Sequence, residues 1–94
     1  MKYKILQLIN PTDYMFMPFE YAVTHGFKFS DYHVVYEGEI ECEKSIIDVL
    51  ERLFVKFNVN RPDDFKGHSL SVSDLIDLDG FCSYCNPTGW KTGI

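Results

Sequence analysis

The stretch from Lys2 to Ile9 does most to limit the fold. Tyr3, Ile5 and Ile9 fall on one parity, and Leu6 and Leu8 on the other. A strand with apolar residues on both faces belongs in the interior of a sheet rather than at its edge. The rest of the chain must therefore supply strands to flank it. With 94 residues in all, there is room for one domain, spanning 1–94, with one core.

Several further elements are readable. Asn10 to Asp13 is a turn. Pro18 suits the first position of a short helix carrying Phe19, Ala22 and Val23, with Gly26 as its stop. Tyr32 to Ile40 alternates. Tyr32, Val34, Tyr36 and Ile40 share one parity, and His33, Val35, Glu37 and Glu39 the other, as in a half-buried strand. Ser45 to Asn58 predicts the main helix. Ser45 and Asp48 are spaced as a capping box, and Ile46, Leu50, Leu53 and Phe57 form an apolar stripe widened by Ile47 and Phe54. Asp48 and Arg52 are placed to pair one turn apart. Asn60 to Ser73 is a polar connection. Leu75–Leu78 and Phe81–Cys85 flank Asp79-Gly80, a strong hairpin signal. The tail holds turn residues, with Trp90 and Ile94 as core plugs and room for a terminal strand. The order β–α–β–α–β–β predicts an α+β fold: a small, mostly antiparallel sheet with one main amphipathic helix and one short helix packed on one face.

Composition narrows the function classes. At 46% hydrophobic and 16% aromatic, the chain is too apolar for an acidic disordered segment. The net charge of −5 and scattered Lys and Arg do not make a nucleic-acid-binding surface, and no basic run marks a membrane surface. The opening MKYKILQLI is too short for a signal peptide and lacks a cleavage site. No apolar run approaches the roughly 20 residues of a bilayer span. A cytoplasmic protein is the expectation. The three cysteines, Cys42, Cys82 and Cys85, do not make a disulfide framework and fit reduced thiols.

The segment from Asn58 to Leu78 reads N-V-N-R-P-D-D-F-K-G-H-S-L-S-V-S-D-L-I-D-L. It resembles the signature of the YodL-like domain family, R-P-x-D-F-x-G-H-S-L-S-V-S-D after a helix ending in Phe-Asn. Phe57-Asn58, Arg61-Pro62, Asp64-Phe65 and the run Gly67, His68, Ser69, Leu70, Ser71, Val72, Ser73, Asp74 match it. Tyr3, Ile5 and Leu8 resemble the family's opening strand, and Tyr32, Val35, Tyr36 and Gly38 its second. Tyr84-Cys85-Asn86-Pro87-Thr88-Gly89-Trp90 resembles its closing segment, with Asn86 where the family has Asp and Trp90 where it has Phe. The resemblance covers nearly the whole chain. It implies no enzymatic activity, catalytic residues or cofactor. These small bacterial domains are often carried on phages and integrative elements. The resemblance therefore implies an accessory factor that binds a host protein of unknown identity, such as a counter-defence or host-modulating factor.

Three constellations invite chemistry. Cys82-x-x-Cys85 with His68 could serve a metal- or thiol-dependent enzyme. Zinc needs about four ligands, however, so Cys42, His25, His33 and His68 would have to converge. Residues three apart on a strand also point to opposite faces, and no helix N-terminus lies ahead to activate a thiol. Structural cysteines are the better account, with no metal. His68 with Ser69, Ser71, Ser73 and Asp74 suggests a hydrolase, but there is no G-x-S-x-G elbow. Ser and Asp here are expected to bond their own backbone and fix a turn. Gly67 is expected to take a positive φ or to allow a close approach. The series Glu37, Glu39, Glu41, Glu43 is the candidate interaction surface. Along a strand it would form an acidic ridge at about 6.6–6.8 Å per two residues, which could imitate a nucleic-acid backbone or steer a basic partner. The plainer reading is a solvated, charged edge. If so, exposed aromatics such as Tyr14, Phe16 or Trp90 are the next place to seek an interface.

Overall fold

The computed structural model describes residues 1–41 and 44–94. Cys42 and Glu43, both named above, lie outside the described residues. The elements are β1 (Lys2–Leu8), α1 (Phe19–Thr24), a single 3-10 turn (Phe29–Asp31), β2 (Tyr32–Glu39), α2 (Ile46–Val59), β3 (Leu75–Leu78), β4 (Phe81–Cys85) and β5 (Trp90–Thr92). The five strands form one antiparallel sheet in the order β2-β1-β3-β4-β5. β1 is interior, as its two apolar faces require. α2 carries the chain from β2, on one side of β1, to β3 on the other.

The β3–β4 hairpin turns on Asp79 (φ 49) and Gly80 (φ 91). Two consecutive positive φ angles are the geometry that an Asp-Gly pair favours, and its twist matches that of the strands. Asp77 Oδ1 accepts the Gly80 N–H at 2.6 Å and closes the turn.

The helices do not share one face of the sheet. Tyr3 and Ile5 of β1 and Ile76 and Leu78 of β3 form one core with Val49, Leu50, Leu53 and Phe57 of α2. Leu8 and Leu75 form a second core with Ala22 of α1, Tyr14, Tyr32 and Tyr84, with Phe19 and Phe27 packed against it. Side chains alternate across a strand, so these cores lie on opposite faces. The physical reason is already visible in β1 and β3: apolar residues of both parities leave neither face free to meet water.

Ser45 caps α2, its Oγ accepting the Asp48 N–H at 3.2 Å, and Asp48 lies 4.0 Å from Arg52. Val49 belongs to the buried stripe, whereas Ile47 stays exposed. Pro18 is the residue before the first turn of α1 rather than its first helical residue, and it offers no side-chain cap. Asn86 does this from a distance, its Oδ1 accepting the Phe19 N–H at 2.9 Å. Asn86, where the resemblance has Asp, thus presents an acceptor oxygen at this position. Trp90 packs against the α2 core beside Phe54, and Ile94 against the other core.

β2 breaks its alternation. Ile5 faces Tyr36 but Leu6 faces Val34, so Val35 is an extra residue. One extra residue moves all later side chains to the other face. Tyr32 and Tyr36 share a parity, yet Tyr32 joins the α1 core and Tyr36 packs on the α2 core. The bulge brings Val35 and Tyr36 both under α2, and turns Glu37 and Glu39 to the α1 side.

Candidate functional site

α1 is only six residues long and covers one end of its sheet face. The other end is open, and it holds a groove of ≈ 480 Å³ lined by Lys2, Lys4, Glu37, Glu39, Asp77 and Asp79 among others. The strand register arranges these in columns. Glu39 lies opposite Lys2, and Glu37 opposite Lys4. Lys4 in turn lies opposite Asp77, and Asp79 Oδ1 accepts the Lys2 backbone N–H at 3.1 Å. Lys4 Nζ is 3.9 Å from Glu37 Oε1. Exposed pairs of this kind contribute about 0–1 kcal/mol. Their main effect is on the field: four carboxylates around two ammonium groups leave the groove negative.

The ridge read from the sequence is thus one column of a mixed ladder. Glu37 and Glu39 belong to it. Glu41 lies beyond the end of β2, its carbonyl accepting from Arg52 at 3.0 Å. An unbroken row of carboxylates imitating phosphates is not what β2 presents. Asp77 and Asp79, whose charge the sequence places elsewhere, stand beside this column; the central lysines were missed, although Lys2 and Lys4 share the parity of Leu6 and the polar end of β1 was a usable signal.

The Gly67–Asp74 run is the connection into β3, and Gln7 holds it in place. Gln7 follows Tyr3 and Ile5 on the same parity and is 1% exposed. Its Nε2 donates to the His68 carbonyl at 2.9 Å and to Asp74 Oδ2 at 3.1 Å, and its Oε1 accepts the His68 N–H at 3.2 Å. Asp74, 2% exposed, also accepts the Ser71 N–H at 2.9 Å. Ser73, at φ 80, is fixed from three sides. Its N–H donates to the Cys85 carbonyl at 2.9 Å, its carbonyl accepts the Tyr32 hydroxyl at 2.6 Å, and its Oγ accepts the Phe16 N–H at 3.1 Å. Leu70 enters the α2 core. A polar residue on the apolar parity of an interior strand was the unused signal for Gln7.

Gly67 has an ordinary φ and is needed for close approach. A Cβ there would overlap Gln7 Oε1 and come within 2.9 Å of Phe65 Cζ. His68 Nδ1 sits 2.7 Å from the Ser69 carbonyl and 4.0 Å from Asp74 Oδ2. Ser71 Oγ donates to the Ser69 carbonyl at 3.0 Å. The Ser71 and Ser73 hydroxyls are thus committed to backbone groups. Burial pushes the Asp74 carboxyl up to about 6, against the opposing pull of the Ser71 N–H, His68 and Gln7.

The two described cysteines do not converge. Cys82 packs with the α1 core. Cys85, paired with Trp90 in the register, lines the opposite side with Phe54 and Trp90. Burial pushes the Cys82 thiol up to about 11, helped by Asp77, and the Cys85 thiol up to about 12, helped by Asp74 and Glu51. A thiol reacts as its thiolate, so both should resist alkylation. Native protein treated with iodoacetamide at pH 8 should modify Cys82 and Cys85 at least about tenfold more slowly than protein in urea, as read by peptide mass. Equal rates in the two conditions would show an activated or accessible thiol. Among the described residues, no group of three or more His, Cys, Asp and Glu side chains is arranged to hold a metal ion, and no helix is long and apolar enough to cross a membrane.

A five-stranded antiparallel sheet with one long helix on one face and a short helix on the other defines a small α+β domain. The chain belongs to the YodL-like domain family, whose family model matches residues 2–92 of its 94. Neither the curated proteins nor the solved structures yield a match to the chain.

Proposed function

We propose that this domain is a small non-enzymatic accessory protein that acts by binding another protein in the cytoplasm, with the groove at the open end of the sheet receiving a basic segment of the partner. The observation that carries this reading is the groove itself. Residues of β1, β2, β3 and the Asp79-Gly80 turn line it, and the carboxylates of Glu37, Glu39, Asp77 and Asp79 flank the two lysines of β1. A negative, low-lying groove steers a positively charged partner and speeds encounter more than it deepens affinity. The setting in which we place it is a mobile element whose product modulates a host protein. That setting is drawn from the family resemblance.

The test replaces Glu37, Glu39 and Glu41 together by Gln. These are exposed positions, so the melting temperature should stay within the change of about 0.5 kcal/mol usual for surface substitutions. With a partner supplied by pulldown from host lysate, the on-rate at low ionic strength should fall about tenfold, and the difference should vanish at high salt. A triple variant that associates as fast as the parent at low salt leaves the ridge as a solvated face only.

A further inference from the structure

Phe16 combines two costly features. It is a non-glycine residue at φ 66, a backbone state that disfavours L side chains by about 1–2 kcal/mol. The residue is also 57% exposed. Of the three aromatics named as alternative contacts, Tyr14 is buried and Trp90 half-buried, which leaves Phe16.

The loop around it is not loose. The Phe16 N–H donates to Ser73 Oγ at 3.1 Å, and Ser73 is itself at φ 80. The Met17 carbonyl accepts the Tyr84 hydroxyl at 2.6 Å. Tyr14 donates through its hydroxyl to Asp31 Oδ2 at 2.8 Å, and Asn86 holds the Phe19 N–H. Four long-range hydrogen bonds thus grip residues 14–19, and between them a strained backbone turns an aromatic ring into water. Stability alone does not account for this, because a glycine at this position would avoid the strain and a polar side chain would avoid the exposure. Strained residues over-determined by their surroundings are a mark of functional positions, and a rigidly presented aromatic is the usual form of an interface anchor.

We propose that Phe16 is the apolar anchor of this domain's protein-binding surface, a ring held ready to enter an apolar pocket on a partner protein. This rests on the reading of the chain as a protein-binding domain. The loop packs on the α1 side of the sheet through Tyr14 and Met15, the same face that bears the groove at its other end. Asp13 and Glu20 flank the loop, so the fitting pocket has a basic rim, and an anionic bilayer is repelled. The groove and Phe16 divide the work: carboxylates set the rate of encounter, and a buried aromatic sets the rate of escape.

The experiment uses the full chain with a photoreactive benzophenone side chain in place of Phe16, and a control with the same group in place of Val59, which is 80% exposed near the end of α2. Each is irradiated in lysate of the cells that make the protein. One discrete adduct should form from position 16, at least about tenfold more than from position 59, since an interface anchor sits at the buried centre of its contact. Unlabelled parent should compete it away, and Phe16→Gly should not. Phe16→Gly keeps the fold, since glycine takes a positive φ freely, and a melt at or above the parent's confirms this. The triple Gln variant at Glu37, Glu39 and Glu41 should still compete at equilibrium. If it fails to compete while Phe16→Gly succeeds, the groove reading stands and the anchor falls. Adducts in equal amount from both positions, no adduct at all, or Phe16-dependent sedimentation with vesicles of equal phosphatidylglycerol and phosphatidylcholine each overturn the proposal.

Discussion

Gly67→Ala should lower the melting temperature by at least about 12 °C. The added Cβ overlaps Gln7 Oε1, so the buried amide must move. Overpacking costs about 1–3 kcal/mol. Displacing Gln7 also strands buried partners at His68 and Asp74, at about 1–3 kcal/mol for each unsatisfied group. A total of about 3 kcal/mol or more corresponds to that drop at about 4–8 °C per kcal/mol for a domain of this size. Valine should be at least as damaging. Because the tightest overlap is with the Gln7 side chain, with Phe65 Cζ next at 2.9 Å, Gly67→Ala and Gln7→Ala should not add. The double variant should be less destabilised than the sum by about 1 kcal/mol or more, the range of coupling for contacting residues. Thermal melts of the four proteins decide it. An unchanged melting temperature in Gly67→Ala, with partner binding lost, would move the Gly67–Asp74 run from scaffold to interface.

The second large effect is a dependence of stability on pH. Burial raises the Asp74 carboxyl from 3.8 to about 6, so the folded state binds its proton more tightly than the unfolded chain does. Stability from this group is fully present below about pH 4 and is lost as pH rises through about 6. Across that window the change is on the order of 2–3 kcal/mol, at 1.36 kcal/mol per pKa unit. The phenols of Tyr32 and Tyr84 and the Cys85 thiol are pushed upward by burial and stay protonated. Asp74→Asn keeps an acceptor for the Ser71 N–H and removes the titration. Relative to that variant, the parent should gain stability from pH 7 to pH 5. Denaturant titrations at both values give the difference, and parallel behaviour of the two proteins would refute the assignment.

Much of the fold could be read from local pattern. The two apolar faces of β1, the capped α2 and the Asp-Gly hairpin all follow from patterns within a few residues, whereas α1 takes its cap from Asn86. The separation of Cys82 and Cys85 follows from the two-residue period of a strand. In the Ser-rich run, Ser71 and Asp74 make the local backbone bonds that such residues favour, whereas Ser73 Oγ reaches Phe16 across 57 positions.

What local pattern could not supply came from pairing. Strand order depends on which edges meet after α2 crosses the sheet. The bulge at Val35 exists only relative to β1, and it alone reverses Tyr36 and places Glu37 and Glu39 on the open face. The lysines that divide the acidic ridge come from a strand some 30 residues away in sequence, brought opposite it by register. Gln7 and Gly67 constrain each other across 60 positions, and Phe16 is held by Ser73 across 57. Sequence periodicity reports which face a side chain takes within its own element. Only packing in three dimensions determines what that side chain meets there, and the groove, the Gln7 clamp and the strained Phe16 are all of that second kind.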